Sequence, residues 1–203
     1  AIQDGCIQVA FIIITIIANS RGLNDAAAVG IVEKMITAIF IIPSTMLATV
    51  SALSAQNIGA KDYGRARAVL KYAVMITTLY GIIVALIVEF CAPTLLGLFT
   101  KDTTVILLGV QYISSYIIDT IFAGIHFSFS GYFAADGKSY IGFIHNIISI
   151  SLVRVPGSYI ASIMYPHNLF PMGLAAPLGS VLSVIICLIA YCILKKKDEL
   201  SVL

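Results

Sequence analysis

Charge is what this sequence is short of. Asp, Glu, Lys and Arg make up 11% of its 203 residues, whereas 60% are hydrophobic, and mean hydropathy is +1.02. A water-soluble domain of this length needs more charge than that to cover its surface. The shortage leaves an integral membrane protein whose side chains face one another or lipid. Membrane lipid is thus the first expected partner. A basic tract interleaved with aromatics is also lacking, which argues against a nucleic-acid partner, and a net charge of +2 adds nothing to that case. The four cysteines (Cys6, Cys91, Cys187 and Cys192) show no metal-ligand spacing. They read as small apolar packing residues, and no metal or cofactor is expected. The chain lacks an initiator Met and a charged segment ahead of its first apolar run. No signal peptide is expected, and the chain reads as a piece of a longer protein cut close to a helix. Finally, His-Glu-x-x-His, Gly-x-Ser-x-Gly and Gly-x-Gly-Asp are all missing, so an intramembrane enzyme is not expected.

What the sequence has is apolar length. A membrane-crossing helix needs about 20 apolar residues. Six stretches qualify, at approximately 2–20, 26–56, 68–96, 105–135, 140–164 and 172–194. Barrel strands would be half as long and would alternate. The expected fold class is therefore an all-α membrane protein, a bundle of six transmembrane helices, with tilt where a stretch exceeds the bilayer. "SRGLND" (20–25), "LFTKDT" (98–103), "ADGKS" (135–139) and "YPHNLFP" (165–171) are short polar connections, which makes neighbouring helices antiparallel. Lys and Arg set the orientation. Lys61, Arg65, Arg67, Lys71, Lys138, Lys195, Lys196 and Lys197 share one side, against Arg21 and Lys101 on the other. That bias places the first side, both chain ends included, in the cytoplasm.

The stretch "AQNIGAKDYGRAR" (55–67) interrupts the apolar pattern. Gly59 and Gly64 have phosphate-loop spacing, but Arg65 and Ala66 stand where Lys and Ser or Thr belong, and both flanks are membrane helices. The stretch reads instead as a loop in which Asn57 and Gly59 end one helix and Asp62 caps the next.

The order of residues carries more. "GIVEKMITAIFIIPSTMLATVSALSAQNIGAKDYGRARAVL" (30–70) resembles a segment of the multidrug and toxic compound extrusion transporters. In that family a helix with an internal proline, here Pro43, runs into a "Q-N-x-G-A-x-x-Y-x-R-A" loop. The loop is matched by Gln56, Asn57, Gly59, Ala60, Tyr63 and Arg65. "LFTKD" (98–102) and the Arg-x-Pro helix "LVRVPGSYI" (152–160) are also similar to family segments. The resemblance implies one lobe of a two-lobe, parallel-repeat transporter, here the C-terminal lobe, with the N-terminal lobe of the same polypeptide absent. It also implies a cation-coupled antiporter, driven by H⁺ or Na⁺, that exports small organic compounds, often cationic. The alternatives are a lipid-linked oligosaccharide flippase of a related superfamily and a membrane scaffold without transport.

Charges inside spans cost about 2.5–3.5 kcal/mol each, so they mark paired or wetted positions. Asp4, Gln8, Thr15 and Asn19 fall near one helical face. They read as a cavity-lining stripe in which Asp4 draws a cation; the other reading makes Asp4 a solvated or capping helix end, with Gln8 and Asn19 as interhelical hydrogen bonds. Asp119 lies about 24 Å along its span from Thr103. His126 shares its face two turns on, and Ser115 and Ser130 extend that face. Asp119 is the candidate ion-coupling carboxylate and His126 a candidate proton relay, with buried structural roles as the other reading. His145 is a weaker candidate, being close to the cytoplasmic loop. Lys34 either faces the cavity or snorkels to the outer interface. Pro43 and Pro156 are expected kinks. Arg154 is expected to serve the carbonyl that Pro156 frees, with Glu89 as its acidic partner.

Overall fold

The computed structural model describes the backbone of residues 2–200 and the side chains of residues 7–195. Among the described residues every regular element is helical. The order is α1 (Ile2–Asn19), α2 (Leu23–Ile39), α3 (Ile41–Gly59), α4 (Tyr63–Gly97), α5 (Thr103–Tyr116), α6 (Asp119–Ala135), α7 (Ser139–Ser149), α8 (Val155–Met164) and α9 (Phe170–Leu200). In hydrocarbon each backbone N–H and C=O must be satisfied within its own segment, and helix does that. Leu23–Gly59, Tyr63–Gly97, Ser139–Met164 and Phe170–Lys195 are each long and apolar enough to cross a membrane. The bent pair α5–α6 makes a fifth, and the apolar part of α1, Ile7–Arg21, is shorter.

Three of the apolar stretches are broken, each in its own way. Pro43 has no N–H for the Ile39 carbonyl, and α2 gives way to α3 at Phe40. The freed carbonyl accepts from the Tyr80 hydroxyl of α4 at 2.9 Å. Pro156 lies just past a π-helical turn, Ile150–Arg154, whose wider hydrogen-bond spacing accommodates the missing donor between α7 and α8. The third break, of 43° between α5 and α6, has no proline at all.

Polar turns close the hairpins. Asp62 accepts from the Arg65 N–H at 2.9 Å and caps α4. Asp102 accepts from the N–H of Thr104 at 2.8 Å and caps α5. At the end of α3 the Lys61 and Asp62 N–H groups donate back to the Ile58 and Asn57 carbonyls. At the end of α6 Gly137 and Lys138 repeat this pattern onto Ala134 and Phe133. Both are Schellman closures with a left-handed residue, Gly137 (φ 71°) in one and Lys61 (φ 60°) in the other. The turn residue of the 55–67 loop is thus Lys61, and Gly59 stays helical.

Helix α6 is the centre of the bundle, with α3, α4, α7 and α9 packed on it. Small residues set the approach, as expected where lipid leaves only close packing to hold helices together. A Cβ on Gly124 would strike Thr77 of α4, and one on Gly131 would strike the Leu47 carbonyl of α3. Apolar side chains such as Ile16, Leu79, Leu86 and Phe90 point outwards. The interior holds two apolar clusters. One is built around Ile36, Leu96, Tyr116 and Met172, the other around Val50, Leu70, Phe133 and Cys187. Asp119, His126, His145, Arg154 and Ser180, all buried, belong to neither.

Candidate functional site

The break between α5 and α6 puts Asp119 at the first turn of α6, inside the bundle. A helix N-terminus favours a carboxylate there. Arg154, the last residue of the π turn, donates from Nη2 to Asp119 Oδ2 at 2.5 Å, and both side chains are buried. The same Nη2 lies 3.3 Å from Ser180 Oγ of α9, which in turn lies 3.5 Å from His126 Nε2. Asp119 and His126 are therefore linked through a serine on another helix as well as sharing a face of α6. Asp119 is the partner of Arg154, and Glu89, the acid expected from the sequence, is exposed on α4. Thirty-five residues separate the pair, so no helical periodicity relates them.

Beyond His126 the buried polar groups continue. The His126 and His145 rings meet edge to face with centroids 5.4 Å apart. His145 Nε2 is 2.9 Å from Ser130 Oγ. Asp119 Oδ1, Arg154 Nε, His126 Nδ1, His145 Nδ1 and Asn146 Nδ2 are buried with no hydrogen-bond partner among the described residues. A cavity of about 20 Å³ lies among His126, Asn146, Ser149, Arg154 and Ser180. Its apolar wall of Ile7, Phe40 and Phe127 also lines a larger pocket of about 260 Å³, which Gln8, Thr37 and Ser44 edge.

The other candidates are more scattered. The side chain of Asp4 lies outside the described residues. Gln8 is exposed and edges the larger pocket, whereas Asn19 is exposed elsewhere on α1. Thr15 Oγ1 is 3.1 Å from Glu33 Oε2, so the α1 stripe meets an acid of α2 that the sequence did not single out. Lys34, next in the chain, is exposed. Ser115 bonds the Tyr112 carbonyl of its own helix and takes no part in the Asp119 cluster. Of the loop residues, Gln56, Gly59, Ala60, Tyr63 and Arg65 are exposed, and Asn57 donates to the Leu53 carbonyl. Ser180, Ser183 and Asn146 were missed, and the serines in the apolar 172–194 stretch of α9 were the available signal.

A sequence model of the MatE family matches residues 2–160. Multidrug and toxin extrusion protein 1 of Homo sapiens and that of Pongo abelii are each 24% identical over 153 residues, covering 75% of this chain and 26% of theirs. The chain thus spans about a quarter of the length of these curated relatives. Among solved structures, the bent form of the Vibrio cholerae MATE transporter VcmN aligns with a TM-score of 0.85 at 18% identity, covering 98% of this chain and 45% of that one. A MOP superfamily transporter from Pyrococcus furiosus aligns at 0.84 and 15% identity, covering 97% of this chain and 43% of that one. At these identities the likeness is one of fold.

Proposed function

The chain belongs to the MatE family of multidrug and toxic compound extrusion transporters, and from that premise we propose that it is the C-terminal lobe of a cation-coupled antiporter. In this reading H⁺ or Na⁺ moving inward exchanges for a small organic cation moving outward, and the lobe works against an N-terminal lobe of the same polypeptide. The C-terminus and the 55–67 loop face the cytoplasm. The observation that carries the reading is the buried Asp119–Arg154 pair beside a small cavity that shares a wall with an open pocket.

A buried ion pair earns little net stability, because desolvation offsets its attraction. It makes good sense as a two-way switch. In the present arrangement Arg154 pairs with Asp119 through one carboxylate oxygen, Oδ2. A proton or Na⁺ that takes Asp119 releases the guanidinium, which must find other acceptors, with the Ser180 hydroxyl nearest. Arg154 ends a π turn, an element that recurs at functional sites, and α8 follows it directly, so its release is coupled to the position of α8. A transporter needs two states of different ion affinity, and this competition supplies them. A flippase that holds a diphosphate would want an unpaired cation in the cavity. Arg154 is neutralised by Asp119, which favours the antiporter.

The test is Asp119→Asn in the complete protein, with efflux of a fluorescent organic cation as the readout. Extrusion is expected to stop with expression intact. Because Asn leaves Arg154 unpaired, Asp119→Asn with Arg154→Gln is run alongside to separate lost coupling from lost folding. Wild-type efflux in either variant sinks the coupling role.

A further inference from the structure

We propose that the open pocket between α1, α2 and α6 is a subsite for the aromatic head of a small organic cation, walled by Phe11, Phe40 and Phe127 and made attractive to positive charge by Glu33 behind one end. This rests on the antiporter reading and says where in the lobe the exported cation sits. Three rings from three parts of the fold meet there, beside a carboxylate that no cation serves.

The pocket has a volume of about 260 Å³, and among the described residues no charged side chain lines it. Phe11 comes from α1, Phe127 from α6, and Phe40 from the break that Pro43 makes between α2 and α3. The face of a phenyl ring is negative, so rings around a cavity attract a cation and disfavour an anion. The polar edge has the same sign. The Thr37 hydroxyl donates to the Glu33 carbonyl at 2.8 Å, and the Ser44 hydroxyl donates to the Ile41 carbonyl at 3.0 Å. Each uses its one hydrogen on its own helix and leaves oxygen lone pairs for a guest. Thr37, Ser44 and Gln8 are exposed, so this edge is open.

Glu33 supplies the formal charge. The antiparallel helices α1 and α2 meet where Thr15 Oγ1 lies 3.1 Å from Glu33 Oε2. One turn further from the connection at residues 20–22, Phe11 and Thr37 line the pocket. The Glu33 carboxylate thus lies one helical turn, ~5.4 Å, behind the pocket and acts on a guest through space, without touching it. Its Oε1 is buried with no hydrogen-bond partner among the described residues, and the Thr15 hydroxyl that reaches Oε2 also donates to the Phe11 carbonyl at 2.9 Å. A carboxylate withdrawn from water is normally paired with a cation. Lys34, next in the chain, is exposed on another face of α2. Arg21 is engaged with Asp25 and two carbonyls. Arg154, on the far side of the Phe40 and Phe127 wall, is paired with Asp119. The positive charge that complements Glu33 is left for a guest to bring.

The test is calorimetric titration of the full-length transporter in detergent at pH 8. One titrant is trimethylphenylammonium, a ring with a fixed positive charge. The other is N,N-dimethylaniline, which is similar in shape and uncharged at that pH. The wild type is expected to bind the ammonium ion more tightly than the amine. Glu33→Gln keeps an acceptor for Thr15 and should weaken ammonium binding about tenfold while leaving the amine unchanged. Phe11→Leu keeps an apolar wall and should weaken ammonium binding about fivefold, and it carries the test if the glutamine variant does not fold. Wild-type ammonium affinity in either folded variant overturns the subsite, as does a wild type that binds the amine as tightly as the ammonium ion. Both results leave the antiporter intact. Equal ethidium efflux by wild type and Asp119→Asn shows instead that the underlying reading has failed.

Discussion

The Tyr80 hydroxyl and the Ile39 carbonyl meet at 2.9 Å across α4 and α2, on the one carbonyl that Pro43 leaves without its helical donor. A kink and its remedy thus come from two different helices. Interhelical hydrogen bonds in bilayers contribute about 0.6 kcal/mol on average and at most about 1.7. Tyr80→Phe is expected to cost that much in detergent unfolding. In a Pro43→Ala background the helix supplies its own donor, and the same substitution should cost close to nothing. An equal cost in both backgrounds would show that the hydroxyl serves something else.

Asp119 and Arg154 predict strong non-additivity. Removing either partner strands a buried charge, at about 3–5 kcal/mol. Replacing both with neutral groups should recover most of that loss. The measurement is a double-mutant cycle on thermal unfolding, and a simply additive pair would mean that the two groups are not coupled.

Glycines of the same helical type should respond in opposite ways. Gly131 is closed in by the Leu47 carbonyl and Val50, so Gly131→Ala must push α3 off α6, at about 1–3 kcal/mol. Gly30 of α2 has nothing within 4 Å of a built Cβ. Gly30→Ala should be neutral or gain up to about 1 kcal/mol. Melting temperatures of the two variants, compared in one detergent, read this directly.

Lys61 holds the left-handed position that Gly137 holds in the matching turn. Lys61→Gly removes a Cβ penalty of about 1 kcal/mol and should raise stability, while one cation of the 55–67 loop is lost. Lys61→Ala removes the same charge and keeps the strain, so only the glycine variant should melt higher.

Much of this architecture was legible because bilayer thickness fixes helix length, and runs such as 68–96 can be measured against it. Pro43 and Pro156 announced two of the breaks. The third, at Ile117–Ile118, carries no breaker residue. It coincides with the burial of Asp119 against Arg154, a long-range circumstance that local pattern does not encode. The same limit explains the choice of Glu89 for Arg154. Both acids are long-range partners in sequence, and only packing decides which one faces inward. His126 was picked out by its spacing from Asp119, but Ser180, the residue that joins it to Arg154, reaches the cluster from the last helix.

Arg21 sits in the turn after α1 and reaches three ways, to the Asp25 carboxylate at 2.6 Å, the Ser162 carbonyl at 3.0 Å and the Pro166 carbonyl at 2.9 Å. The last two lie more than 140 residues along the chain. One guanidinium thereby buckles the first hairpin to the end of α8, like a clasp joining the two ends of a belt. Any tilt imposed on α1 and α2 is passed at that rim to α8, whose other end carries Arg154.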